Sequence, residues 1–270
     1  MTLSYCGEMV RKYDPDRFLL SLFMKPGRRD AVWALYAFNH EIARTREVVT
    51  ETRLGLIRLQ WWRDALAAVY EGKPVLKHQV LEPLAAAIAA HKLPREWFDN
   101  LLYGREFDLE DRAPATLEGM INYADFTSAP LVRLALQING DAADEAAAKA
   151  AATLYALTGL LRATSVHLVQ RRCYLPEDLL HKAQVDIYDL YDGKKLENLK
   201  PVAEAVAAAA KKVAAAIPGN APPHLRLIRK MSLIYLAQIE KAGYSLFSSA
   251  LLQPPPLLAL RLWWENIKAS

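Results

Sequence analysis

Arg162, Arg171 and Arg172 fall within one short stretch, Leu161 to Leu180, with Tyr174 two residues after Arg172. A guanidinium presents a planar fork of donors that matches the oxygens of a phosphate or carboxylate, so the grouping reads as a candidate anion site. The competing reading pairs the same arginines with Glu47, Glu177 or Asp178. His167 lies in this stretch too, and its ring suits either a base in a working site or a hydrogen-bonded place inside the fold. A second stretch, Tyr36-Ala-Phe-Asn-His-Glu-Ile-Ala-Arg-Thr-Arg-Glu47, sets His40 beside Glu41. It is not a zinc-protease helix, which needs a second histidine where this chain has Arg44. His40 is therefore expected at the surface or at a helix cap. Asp125 and Asp186 also read as caps.

The elements that must hold these residues read as helix nearly everywhere. Asp14-Pro-Asp16 predicts a cap before a helix over Phe18–Met24, ended by Pro26-Gly27. Arg28 to about Val49 carries Ala34, Leu35, Phe38 and Ile42 at helical spacing. Thr52–Tyr70 places Leu56, Leu59, Trp62, Leu66 and Val69 on one face, and Gly72-Lys-Pro74 closes it. Leu76–His91 and Arg95–Leu109 read as a pair around Pro94, and Thr116 caps a helix to about Ile138 that is interrupted or kinked near Pro130. A long helix is expected from Asp141 through His167, a short turn over Glu177–Leu180, and an Ala-rich helix over Lys195–Ile217. Pro222-Pro223 opens a helix to about Leu252, and a short terminal helix follows Pro254-Pro-Pro256. Adjacent Trp61 and Trp62 cannot share one helix face, so one is expected inside and one at a rim. No strand-like alternation, hairpin turn or nucleotide-binding glycine loop is visible.

Composition agrees. The 270 residues are 53% hydrophobic and low in glycine, enough to bury a large core. A formal net charge of +4 is too small and too dispersed to indicate nucleic acid. Cys6 and Cys173 form no Cys-x-x-Cys pair, which suits a reducing, cytoplasmic setting. No secretory signal is visible at the N-terminus, and no apolar run reaches the ~20 residues of a membrane span. Leu257–Ile267, with Leu258, Leu262, Trp263 and Trp264 beside Arg261 and Lys268, either packs back on the core or forms an interfacial helix giving weak peripheral membrane contact.

Tyr36–Glu47 and Leu161–Leu180 resemble the two metal-binding motifs of squalene and phytoene synthases. In that family the first reads roughly Tyr-Ala-Phe-Cys-Arg-x-x-Asp-Asp-x-x-Asp. The second reads Leu-Arg-Asp-x-x-x-Asp followed by Arg-x-Tyr-Leu-Pro-x-Asp. Leu59-Gln-Trp-Trp-Arg-Asp64 matches a further Leu-x-Trp-Trp-Arg signature, and the likeness runs from about Asp14 to the C-terminal tryptophans. It implies an all-α, single-domain helical bundle of the isoprenoid-synthase type over residues 1–270, built around a central cavity. Ala43, Arg44 and Glu47 stand where the first motif has aspartates, and Ala163 and His167 where the second does. Arg17, with Phe18, replaces the serine of a diphosphate-contacting turn. Arg17, Tyr36, Arg162, Arg171, Arg172 and Tyr174 are the candidate anion- or ligand-binding residues, and no residue is assigned a catalytic role.

Carboxylates at i and i+4 share a helix face and can present oxygen ligands to magnesium. Here only Glu47 retains one, so no metal and no cofactor are expected. Gly159-Leu-Leu-Arg-Ala-Thr164 and Arg171-Arg172 narrow the resemblance to a non-synthase branch of the family, whose implied role is respiratory complex I assembly. The implied partners are complex I subunits or assembly intermediates, met in the cytoplasm or peripherally at the inner membrane. Two alternatives stay open. One is a prenyltransferase with a non-standard site, which would need magnesium. The other binds an isoprenoid or quinone in an apolar tunnel.

Overall fold

The computed structural model describes residues 2–49, 51–142 and 144–268, and among them every regular element is helical. The chain divides into two compact units, one of residues 1–110 with 130–143 and one of residues 111–129 with 144–270.

The first unit begins with α1 (Tyr5–Tyr13), which the periodicity did not suggest; Ser4 caps it by accepting the Gly7 N–H at 3.3 Å. Then come α2 (Pro15–Ser21), α3 (Arg29–Ala43), α4 (Thr45–Val48), α5 (Thr52–Tyr70), α6 (Leu81–His91) and α7 (Arg95–Phe107). Helix α3 is the centre of this unit. Every residue from Val32 to Asn39 is buried, as in a helix covered on all sides, with α1, α6 and α7 packed against it. Phe38 meets Trp62 and Phe98 edge-on, with ring centroids 5.1 and 5.6 Å away. Trp62 is inside and Trp61 is at the rim, as expected. On α5, Leu59 and Leu66 join the core while Leu56 stays exposed. A Cβ on Gly7 would lie 2.8 Å from the Trp33 ring, so glycine is what lets α1 approach α3 this closely.

Helix α8 (Leu117–Asn139) runs uninterrupted through Pro130, which is also where the units divide. Thr116 bonds the Gly119 N–H at its start, as expected of a cap. The second unit continues with α9 (Glu145–Arg162), α10 (Thr164–Val169), α11 (Glu177–Lys182), α12 (Ile187–Tyr191), α13 (Lys200–Ala215), α14 (Pro223–Lys241) and α15 (Leu258–Ile267). Helix α9 packs against both α13 and α14, and both α9 (Ala147, Ala148, Ala151) and α13 (Ala203, Ala207, Ala210) bury several alanines.

Several boundaries differ from the sequence reading for local reasons. Residues 76–80 are not helical, because His78 Nδ1 accepts the N–H groups of Val80 and Leu81 and starts α6 there instead. Gly140, at φ +73°, ends α8, and Asp144 rather than Asp141 caps α9 by accepting the Ala147 N–H. Helix α14 stops at Lys241, short of Leu252, because Gly243 and Tyr244 both take positive φ. Asp186 does cap a helix, the unforeseen α12, whereas Asp125 lies inside α8 and accepts from Lys149 at 2.9 Å.

Candidate functional site

In the first unit, the candidate residues gather where α2, α3 and α4 meet. Asp14 caps α2 through the Arg17 N–H and also holds the Arg17 guanidinium at 2.6 Å. That guanidinium lies 5.7 Å from the Tyr36 ring. Tyr36 is almost wholly buried, and burial is the main force pushing its phenol far above the ordinary range; Arg17 pulls it back and Asp14 adds to the rise. The phenol is therefore a neutral hydrogen-bonding group at any physiological pH.

Helix α3 was expected to continue to Val49 but ends at Ala43. Arg44 (φ −75°, ψ 0°) forms the joint to α4. The Glu47 N–H bonds the Arg44 carbonyl at 2.9 Å, a tightened turn rather than an i→i−4 bond back to Ala43. The Val48 N–H still bonds the Arg44 carbonyl at 3.2 Å, so the backbone stays helical across the joint, and Glu47 is exposed. Arg44 reaches back 3.8 Å to Glu41, whose other oxygen is bonded by Arg58 from α5. Glu41 is the most sheltered of the three, so two guanidinium groups share one partly buried carboxylate.

His40 is neither on the surface nor a cap. It is half-buried and stacked on Tyr13, with ring centroids 4.6 Å apart. Burial lowers its pKa and Arg44 adds to that, while nearby carboxylates oppose it. A shallow cleft of about 550 Å³ opens beside this group, lined by Glu8, Lys12, Tyr13, Glu41 and Arg44 among others.

In the second unit, the long helix expected over 141–167 is divided at Ala163 (φ −88°, ψ 2°) into α9 and α10. Here the register survives, since the His167 N–H bonds the Ala163 carbonyl at 2.9 Å. The His167 ring stands edge-on to Tyr174 at 4.8 Å, and Tyr174 also meets Tyr123 at 5.3 Å. Arg162 and Arg171 turn to different partners. Arg162 lies 3.4 Å over the buried ring of Tyr235 on α14. Arg171, at φ +55° and largely exposed, turns toward α12, where Asp192 is 3.8 Å away and the Tyr191 ring 5.7 Å. Arg172 is half-buried, and its N–H bonds the His167 carbonyl. Arg171 thus takes Asp192, not Glu177 or Asp178, and Asp178 faces Lys182 at 3.9 Å.

These residues do not fit a magnesium–diphosphate site. Of the first motif's positions only Glu47 keeps a carboxylate; position 43 is an alanine, and position 44 holds a guanidinium paired with Glu41. Among the described residues, no group of three or more His, Cys, Asp or Glu side chains is placed to hold a metal. The sequence reading missed the partners that organise the first cluster, Tyr13, Glu41 and Arg58. Only a charge of the right sign one helix away could have signalled Arg58.

A model of the squalene/phytoene synthase family matches residues 10–262. The chain is 30% identical to bovine NADH dehydrogenase (ubiquinone) complex I assembly factor 6, over 97% of this chain and 81% of that protein. A phytoene synthase of Zea mays is 26% identical over 70% of this chain and 46% of its own length. Among solved structures, a dehydrosqualene synthase in complex with ligand superposes with a TM-score of 0.81 at 19% identity, covering 98% of this chain and 94% of that one. A squalene synthase from Alicyclobacillus acidocaldarius gives 0.76 at 21% identity, covering 89% and 93%.

Proposed function

We propose that this chain, which belongs to the squalene/phytoene synthase family, acts in the assembly of respiratory complex I and does not condense prenyl diphosphates. One family model spans both compact units, so we read them as parts of a single family domain.

The observation that carries the functional reading is the state of the first motif. A prenyl diphosphate leaves as an anion and needs cations held against it in a fixed geometry. Ala43 offers no side-chain ligand, Arg44 is paired with Glu41, and Glu47 is the one carboxylate that the motif keeps. Ala163 and His167 leave the second motif without carboxylates as well. Arg17, held by Asp14 beneath Tyr36, and Arg162, laid on Tyr235, serve their own units' packing as arranged here.

The likeness to the bovine assembly factor extends over nearly the whole chain, which supports carrying that role across. Under this reading the chain works on complex I subunits or assembly intermediates, in the cytoplasm or at the membrane face. No helix among the described residues is long and apolar enough to cross a membrane.

A deletion strain tests the proposal. NADH:quinone oxidoreductase activity should fall while squalene, carotenoid and hopanoid levels hold. Normal complex I with squalene missing would replace this reading with the prenyltransferase.

A further inference from the structure

Helix α15 is apolar on two faces, and the second unit uses only one of them. Leu258 and Leu262, four residues apart, are buried against α14. Leu260, Trp263, Trp264 and Ile267 follow the i, i+3, i+4, i+7 spacing of a second stripe, and each is between 47 and 55% exposed. The terminal segment does pack on the body, therefore, but packing leaves two tryptophans outside. An exposed tryptophan costs free energy in water and is seldom left so without a use.

The charges around the stripe identify the occupant. Arg261 lies on the helix and Lys268 at its C-terminal cap; both are exposed, and the Lys268 ammonium sits 5.5 Å from the Trp264 ring. Arg261 borders two clefts, of about 530 and 540 Å³; one is also lined by Lys230 and the other by Lys241. The carboxylates nearby are committed. Glu265 faces Lys230 at 3.5 Å and Glu240 is bonded by Lys211 at 2.8 Å. The result is an aromatic and aliphatic stripe rimmed by cations. Tryptophan rings settle at the headgroup level of a bilayer while lysine and arginine reach its phosphates. A protein partner matching this face would need an apolar groove edged by acids. An anionic lipid surface supplies both layers at once.

We propose that α15 is a membrane-docking element that seats Leu260, Trp263, Trp264 and Ile267 among the headgroups of an anionic lipid surface, with Arg261 and Lys268 on the phosphates. Binding of this kind is peripheral and reversible, and it weakens with salt. It stands apart from the complex I reading, since either can fail without the other.

The test is flotation of the full chain with vesicles of phosphatidylcholine alone or mixed with phosphatidylglycerol. Each cation near an anionic surface contributes about five-fold in partition. Binding to the mixed vesicles should therefore drop roughly twenty-fold or more in the Arg261→Glu/Lys268→Glu double variant, and likewise at high salt. The Trp263→Ser/Trp264→Ser variant should not float, while both variants keep the parent's thermal melt because the replaced side chains are exposed. Brominated lipid should quench tryptophan fluorescence in the parent and not in the tryptophan variant. Absence of flotation, equal binding to neutral vesicles, or flotation unchanged in both variants would overturn the proposal. So would a solution dimer that dissociates in the tryptophan variant without any vesicle binding, which would make the stripe a contact between copies.

Discussion

Restoring the missing carboxylates should not restore prenyl transfer. The perturbation is the set Ala43→Asp, Arg44→Asp, Glu47→Asp, Ala163→Asp and His167→Asp, which returns an aspartate to each motif position. Two structural consequences set the magnitude. First, Arg44 sits 3.8 Å from Glu41, an interaction of about 1 kcal/mol at a water-like dielectric. Aspartate there removes that attraction and introduces a similar repulsion, screened because the Arg44 side chain is about one-third exposed. Glu41 keeps Arg58, so the Arg44 substitution by itself costs about 1–2 kcal/mol, equivalent to a fall in Tm of roughly 2–8 °C for a chain of this size. The His167 substitution also removes the edge-on contact with Tyr174, and a thermal melt checks that the full set folds. Second, only the motif positions change: Arg17, where the family has a serine, stays tied to Asp14 at 2.6 Å, so the neighbours that would orient the new ligands are not restored. A misplacement of about 1 Å costs on the order of a hundred-fold in rate. The assay is product formation from farnesyl and geranylgeranyl diphosphate with magnesium, run beside an active synthase. Turnover should stay at least about a hundred-fold below that enzyme. Turnover within ten-fold of it would refute the reasoning, because the surroundings of the motif positions would then carry no functional weight.

Two further outcomes follow from the first unit. Truncating Phe38, which is fully buried between Trp62 and Phe98, should cost about 3–5 kcal/mol in denaturant unfolding, and a loss under about 1 kcal/mol would show that this aromatic cluster is not the core it resembles. His40 has a pKa below its ordinary 6.5, so the unfolded chain binds the proton more readily; its contribution to stability is intact above about pH 6.5 and is lost as pH falls toward its lowered folded value. Stability measured from pH 7 downward should drop less in His40→Phe, which can still stack on Tyr13, than in the parent, and parallel profiles would rule out His40 as the titrating group.

The helical class, the family and the loss of the motif aspartates were all determined by the sequence, because each depends on local spacing or on covalent identity. Leu59, Trp62 and Leu66 at helical intervals are enough to place one face of α5 inside. An alanine at position 43 or 163 cannot ligate a metal in any fold. The same spacing told where helices exist better than where they stop. Arg44 and Ala163 belong to good helix-forming types, and nothing in their neighbours marks a break. The partners of the charged and aromatic groups were decided only by tertiary structure. Asp14 with Arg17 is a local pair that a cap can foretell, but Glu41 with Arg58, His40 on Tyr13, and Arg162 over Tyr235 each join residues from different helices. A guanidinium is equally suited to a phosphate, a carboxylate or a ring, and the choice among them was made by whichever neighbour the packing brought within reach.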